Sequence, residues 1–267
     1  MLVARPRGLG SYRNQERTMQ GTRRRIVQID ALLSGVERHP DDALIVVDLL
    51  LASTTLVTSA AQGRTTLVAR NAQAARRQAQ GLVDPLFAAE AGGGGESLES
   101  TAGPVYLSSL PHAKRPLVFV CPTAELLEGA HRSPAVYVAC LRNMTASVSA
   151  ASLRHDRVTV IAAGYGREER SEDQMVAAMM AGLFMERGYE AGDLRTAREV
   201  TRWSGADRSV LELGRGADQL RRMGHDADLS FAVSRVDDLD LVCLYGDQEV
   251  RATVPVVPSL EIAAAAL

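Results

Sequence analysis

Six short apolar runs, separated by segments of helical character, constrain the fold of this chain more than any other feature. Ile26–Ile29, Ala43–Asp48, Thr65–Val68, Pro116–Cys121, Ala135–Cys140 and Arg157–Ala163 are mostly continuous in Val, Ile and Leu, as strands covered on both faces should be. Helix-like segments lie between them at Ala52–Gln62, Ala72–Gln80, Ala124–Ala130, Met144–Leu153 and Glu172–Arg187. The alternation predicts an α/β protein: a three-layer α/β/α fold with a mainly parallel or mixed central sheet. The last third is less regular. A helix is expected around Ala217–Met223, and strands at Leu229–Val233, Leu241–Tyr245 and Val250–Val254 that extend the sheet with antiparallel pairs.

The chain has 267 residues, 46% of them hydrophobic, enough for one large core or two modest ones. Aromatics are only 4%, so that core is aliphatic. A formal charge of -2 argues against a general nucleic-acid or membrane-surface binder. The longest apolar run, Ala43 to Ala52, is interrupted by Asp48 and is too short to span a bilayer. Cys121, Cys140 and Cys243 have neither metal-ligand spacing nor an even count for disulfides. No secretory pattern opens the chain, and a cytoplasmic protein is expected. Lys114 is the only lysine, a bias that suggests a GC-rich, bacterial source.

Seven arginines between Arg5 and Arg25 crowd the start. They suggest a basic, disordered extension over residues 1–24, ahead of one α/β domain over 25–260. Translation starting at Met19 is a second account of this segment. A nucleic-acid arm is a weaker third, because only Tyr12 could stack on a base. The four glycines at 92–95 read as a loop.

In open α/β sheets ligands bind beyond the carboxyl ends of the strands. Asp48 ends one apolar run there, and a carboxylate so placed must be solvated, paired or metal-bound. Glu90 closes Leu86–Ala89, and if that stretch is a strand it brings a second carboxylate to the same edge. With Glu172 or Asp173 these acids would form a hard-oxygen site suited to Mg2+, and helix N-termini nearby could receive a phosphate. Each cap-like residue also has a plainer reading. Ser171 with Gln174 matches a capping box, Asn143 is a good N-cap, and Ser53 or Thr54 could cap its own helix. No phosphate-loop signature or nucleophile elbow is present, Gly164-x-Gly166 lacks a third glycine, and the five histidines show no metal spacing.

The segment Val46-Val47-Asp48-Leu49-Leu50-Leu51-Ala52-Ser53-Thr54-Thr55 resembles the Asp-Val-Leu-Arg-Ala motif of the ComB-type 2-phosphosulfolactate phosphatase family. Further likenesses follow in the family's order: Ala89-Glu90-Ala91-Gly92-Gly93, Asn143-Met144-Thr145-Ala146, Ala162-Ala163-Gly164 with Glu172-Asp173, and Leu220 through Gly224 to Asp228. The likeness spans about residues 25–255. It implies magnesium-dependent hydrolysis of 2-phosphosulfolactate to sulfolactate and phosphate, a step of coenzyme M biosynthesis. By position it implies catalytic carboxylates at Asp48, Glu90, Glu172 and Asp173, of which Asp48, Glu90 and Asp173 lie near metal. It further implies Ser53, Thr54, Thr55, Asn143 and Gly164 beside a small phosphate ester. A homo-oligomer is left open.

Leu51 and Ala91 stand where the family carries arginine, and Cys121-Pro122-Thr123-Ala124-Glu125 replaces its Thr-Thr-Asn-Gly-Thr loop. Two lost guanidinium groups remove donors matched to phosphate or sulfonate. Either the substrate is less anionic, or the chain is a catalytically impaired relative that binds a metabolite or partner. Arg142 or Arg167 could supply a replacement cation.

Overall fold

The computed structural model describes residues 24–90, 100–101, 103–110 and 115–254. Of the basic extension expected over 1–24 only Arg24 is described; residues 1–23, the glycines at 92–95 and the tail from 255 lie outside the described residues. The first half of the chain runs β1 (Ile26–Ala31), α1 (Leu32–Arg38), β2 (Ala43–Val47), α2 (Ala52–Ala61), β3 (Thr66–Ala69), α3 (Ala72–Gln78), β4 (Leu86–Ala89), β5 (Ser100–Thr101), α4 (Pro104–Ser109), β6 (Leu117–Val120) and α5 (Thr123–Gly129). It continues through β7 (Val136–Ala139), α6 (Met144–Ser152), β8 (Arg157–Ala162), α7 (Ser171–Glu186), β9 (Glu190–Ala191) and α8 (Leu194–Trp203). Helices α9 (Arg215–Arg222) and α10 (Asp226–Ser234) and strands β10 (Val242–Gly246) and β11 (Glu249–Thr253) complete it.

The eleven strands among the described residues join one mixed sheet in the order β5-β4-β6-β3-β11-β10-β7-β2-β8-β1-β9. Strand β2 is buried at every position, between β7 and β8, which explains its unbroken run of Ala, Leu, Ile and Val. The β7–α6–β8 and β1–α1–β2 crossovers step along the sheet in opposite directions. Right-handed connection therefore puts α6 and α1 on opposite faces, giving the three α/β/α layers.

The sheet consists of two parallel blocks separated by the β10–β11 hairpin. β10 pairs antiparallel with β7, β11 with β10, and β11 with β3. Three reversals make the block β5-β4-β6-β3 run opposite to β7-β2-β8-β1-β9. In a flat sheet β2 and β4 would then end on opposite edges. They do not: the Leu51 N–H, just after β2, donates to Glu90 Oε1, just after β4, at 3.2 Å. Six neighbour steps separate the two strands, and at the usual twist of about 20–25° per step the rotation accumulates to roughly 120–150°. That is enough to swing the two carboxyl ends toward each other. The hairpin itself turns at Asp247 and Gln248, both at positive φ (52° and 65°), the two-residue geometry that matches right-handed twist.

Two expectations are corrected. Leu229–Val233 is not a strand but lies inside α10, whose first turn carries Asp226 and Asp228. Acids there favour a helix N-terminus, and a five-residue apolar run does not distinguish helix from strand by periodicity. The Ser171–Gln174 capping box does not form either: Arg170 is the N-cap residue, and the Gln174 amide bonds to Glu169 instead. Residues Leu32–Arg38, Pro104–Ser109 and Leu194–Trp203 form helices that apolar periodicity did not reveal.

Because Ile45 is fully buried in the central strand, Ile45→Ala is expected to cost about 2–5 kcal/mol. The shift of the urea unfolding midpoint measures this.

Candidate active site

Three carboxylates from three separate elements meet where the strand ends converge. Asp48 follows β2, Glu90 follows β4, and Asp173 lies in the first turn of α7. Each is at least nine-tenths buried. Asp48 Oδ2 accepts the hydroxyl of Thr123, the first residue of α5. Asp173 accepts two backbone amides, Leu49 N–H on Oδ1 at 2.8 Å and Gly164 N–H on Oδ2 at 2.9 Å. Glu90 Oε1 takes the Leu51 amide, whereas Glu90 Oε2 is buried with no hydrogen-bond partner among the described residues.

Among the described residues no arginine or lysine forms an ion pair with these three carboxylates. Burial pushes Asp48 up to about 6, against the pull of the Thr123 hydroxyl and the Ala52 amide. Burial, and then the charge of Asp48, pushes Glu90 well above the usual carboxylate range. Asp173 is raised in the same way, by burial and then by Asp48 and Glu172. Carboxylates that raise one another in this manner share one site, and they cannot all ionise there without a compensating positive charge.

The enclosed space between them is small, about 20 Å³, room for one water-sized occupant. Asp48, Glu90 and Asp173 line it together with Leu50, Gly164, Tyr165, Arg170, Gly216, Gln219 and Leu220. Arg170 sits at its mouth, with its guanidinium carbon 5.4 Å from the centre of the Tyr165 ring. Its charge acts on both Asp48 and Glu90. Among the described residues no three His, Cys, Asp or Glu side chains close around a point as a preformed metal cage. The donor set is nonetheless all hard oxygen, with one orphaned carboxylate oxygen beside an ion-sized hole. That fits magnesium, which is held by one or two carboxylates and keeps several waters.

The remaining sequence candidates are placed differently. Glu172 is buried beside the cluster, but its Oε1 accepts the Gly216 amide at 3.0 Å. It thereby holds the start of α9, which brings Gln219 and Leu220 to the cavity wall. Ser53, Thr54 and Thr55 are fully buried and turn their hydroxyls into the protein. Ser53 Oγ accepts the Asp48 amide at 2.9 Å, Thr54 donates to the Leu49 carbonyl at 2.8 Å, and Thr55 donates to the Leu51 carbonyl at 2.9 Å. They build the turn that carries Asp48 and do not line the cavity. Asn143 is likewise fully buried, accepting the Cys140 amide at 3.1 Å and donating to the Val138 carbonyl at 3.3 Å. Gly164 does line the cavity, at φ +66°, and a Cβ there would come within 2.3 Å of the Glu168 carbonyl oxygen. Arg142 is committed elsewhere, forked onto Asp238 at 2.9 and 2.8 Å. Arg167 is exposed, and Glu125 is exposed on α5.

Arg170 and Gln219 were not singled out from the sequence, and Thr123 and Leu220 were named only within family-like segments and not as site residues. Thr123 had a usable signal, since it follows the strand β6 as Asp48 follows β2. Arg170 had none, being one basic residue within the charged stretch 167–173.

The converging strand ends define this chain as an α/β/α protein with a buried carboxylate cluster in its crevice. More narrowly, it belongs to the 2-phosphosulpholactate phosphatase family, whose model matches residues 32–248, and this places it among phosphatases. No curated protein matches the chain. No helix among the described residues is long and apolar enough to cross a membrane.

Two outcomes are expected for substitutions here. A raised folded-state pKa means that stability present below about pH 4 is lost as pH rises through about 6. In chelator, Asp48→Asn is therefore expected to stabilise the protein at pH 8, by on the order of 3 kcal/mol, and to have little effect at pH 4. Thermal melts at the two pH values test this. Gly164→Ala is expected to cost about 2–5 kcal/mol through strain and steric clash, read from denaturant unfolding.

Proposed function

We propose that this chain is a magnesium-dependent phosphatase acting on a small phosphate monoester, either 2-phosphosulfolactate in the chemistry of coenzyme M biosynthesis or a related compound. The observation that carries the proposal is the meeting of Asp48, Glu90 and Asp173 around one ion-sized hole with Glu90 Oε2 left unpartnered.

In this reading Asp48 and Glu90 hold magnesium. The bound ion supplies Lewis-acid stabilisation of charge on a phosphoryl oxygen. Thr123 orients the Asp48 carboxylate through its hydroxyl. Asp173, which bonds both the 49 and 164 backbone amides, keeps two walls of the cavity at fixed separation and adds negative charge that favours a cation. Burial holds Glu90 and Asp173 well above the usual carboxylate range, so entry of a cation would displace protons from the site. Glu172 positions α9 rather than touching substrate. Ser53, Thr54, Thr55 and Asn143 act as scaffold. A cytoplasmic setting suits three free, buried cysteines, and a basic arm for nucleic acid has no part in the reading.

Purified protein is expected to release phosphate from small phosphate esters with magnesium and to stop when the metal is chelated. Asp48→Asn and Glu90→Gln should each lower kcat/KM by at least ~10²-fold. Absence of phosphate release across a panel that includes 2-phosphosulfolactate would point instead to a binding protein on this scaffold.

A further inference from the structure

Two segments of the cavity lining are joined on their solvent side by one exposed ion pair. Arg215 precedes Gly216, which lines the cavity, and its Nη1 lies 3.0 Å from Oε2 of Glu168. Glu168 in turn closes a tight turn with Tyr165, another lining residue: the Tyr165 N–H donates to the Glu168 carbonyl at 2.9 Å and the Glu168 N–H to the Tyr165 carbonyl at 3.0 Å. The backbone under Arg215 is fixed as well. The Gly216 N–H donates to Glu172 Oε1 at 3.0 Å, and a Cβ at Gly214 or Gly216 would run into the Glu172 carboxylate. The two charged side chains are not fixed. They are 78% and 61% exposed, and pairs so exposed contribute little or nothing measurable to stability.

We propose that Arg215 captures the phosphate of an incoming ester, and that Glu168 holds its guanidinium at the mouth until the phosphate displaces it. The inference rests on the phosphatase reading above. Three observations support it. First, the cavity, at about 20 Å³, has room for one ion-sized occupant. An ester therefore binds outside it, on the solvent side where this pair lies. Second, Arg215 is held through one nitrogen only, whereas Arg38 and Arg142 each fork two nitrogens onto a carboxylate. A phosphate offers the guanidinium two parallel charge-assisted bonds in place of that one, which favours the exchange of partner. Third, the sign of charge changes from floor to mouth. The floor is Asp48, Glu90 and Asp173, whereas the mouth carries Arg170, Arg215 and the exposed Arg167 in the Tyr165–Glu168 turn, against Glu168. Glu169 is engaged by Arg195 at 3.1 Å. A cation below and an anion above are thus received by different residues.

The test uses the full-length protein with magnesium, the phosphate ester that wild type hydrolyses fastest, and inorganic phosphate as a ligand that needs no turnover. Arg215→Gln is expected to raise KM by at least ~10-fold, with the loss in KM rather than in kcat. Glu168→Gln removes the competitor and is expected to lower KM by about 2–5-fold. The opposite signs are decisive, because a pair that merely tied two walls together would be weakened alike from either side. Arg215→Lys should recover part of the loss. The thermal shift caused by inorganic phosphate should shrink in Arg215→Gln and grow in Glu168→Gln, while both variants melt like wild type without phosphate. KM changes of the same sign in the two variants, or an unaltered phosphate shift in Arg215→Gln, overturn the inference and leave the phosphatase reading intact. A wild type that neither hydrolyses any ester nor is stabilised by phosphate removes the reading and the inference together.

Discussion

The carboxylate of Asp173 is the contact on which the geometry of the crevice depends. One side chain at the start of α7 accepts an amide from the turn after β2 and another from the turn after β8. These turns belong to neighbouring parallel strands, and their amides would otherwise be unsatisfied in a buried position. Because both oxygens are engaged, α7 cannot slide without breaking two buried hydrogen bonds. Asp48 sits one residue before one of the gripped amides, and the Tyr165–Arg170 segment begins one residue after the other. Cluster and mouth are thereby set from a single anchor. The arrangement concentrates carboxyl groups in a poorly solvated place, and the raised pKa of all three is the physical consequence.

Much of the fold was legible because its strands are covered on both faces. All six of the continuous apolar runs are strands of the sheet, displaced by no more than a residue or two at their ends. Local pattern failed where it carries little information. Helix α10 presents a five-residue apolar stretch with no periodicity to classify it, and only Asp226 and Asp228 mark its start. Helix α8 is polar over most of its surface, and its best signal is a cap, the Asp193 carboxylate accepting the Thr196 amide at 2.7 Å. Helix α1 opens on Leu32 at φ 61° without a side-chain cap, a start that no propensity rule anticipates. The reversal of one parallel block against the other was invisible, because it depends on which distant strands the C-terminal hairpin chooses as partners.

The site divides along the same line. Asp48 and Glu90 were legible because a carboxylate at the end of a buried strand has few places to go. Asp173 was legible from its place at a helix start. The inward turn of Ser53, Thr54 and Thr55 was not, since a hydroxyl near a helix N-terminus is equally suited to a ligand or to its own backbone. Arg170 was hidden by neighbours of the same type, and only the packing around it separates a cavity-lining guanidinium from a solvated one.

The hairpin wedged between the two strand blocks has a consequence for how the protein is made. Residues 242–253 are the last described strands of the chain, and they alone connect the block bearing Asp48 to the block bearing Glu90 within the sheet. During synthesis the two halves can each order their local strand–helix units, yet their edges stay unjoined until the hairpin at 242–253 has emerged. Assembly of the crevice is therefore a late, long-range step, of the kind that slows folding. An incomplete chain lacking this hairpin would carry both halves of the acidic cluster without the seam that brings them face to face.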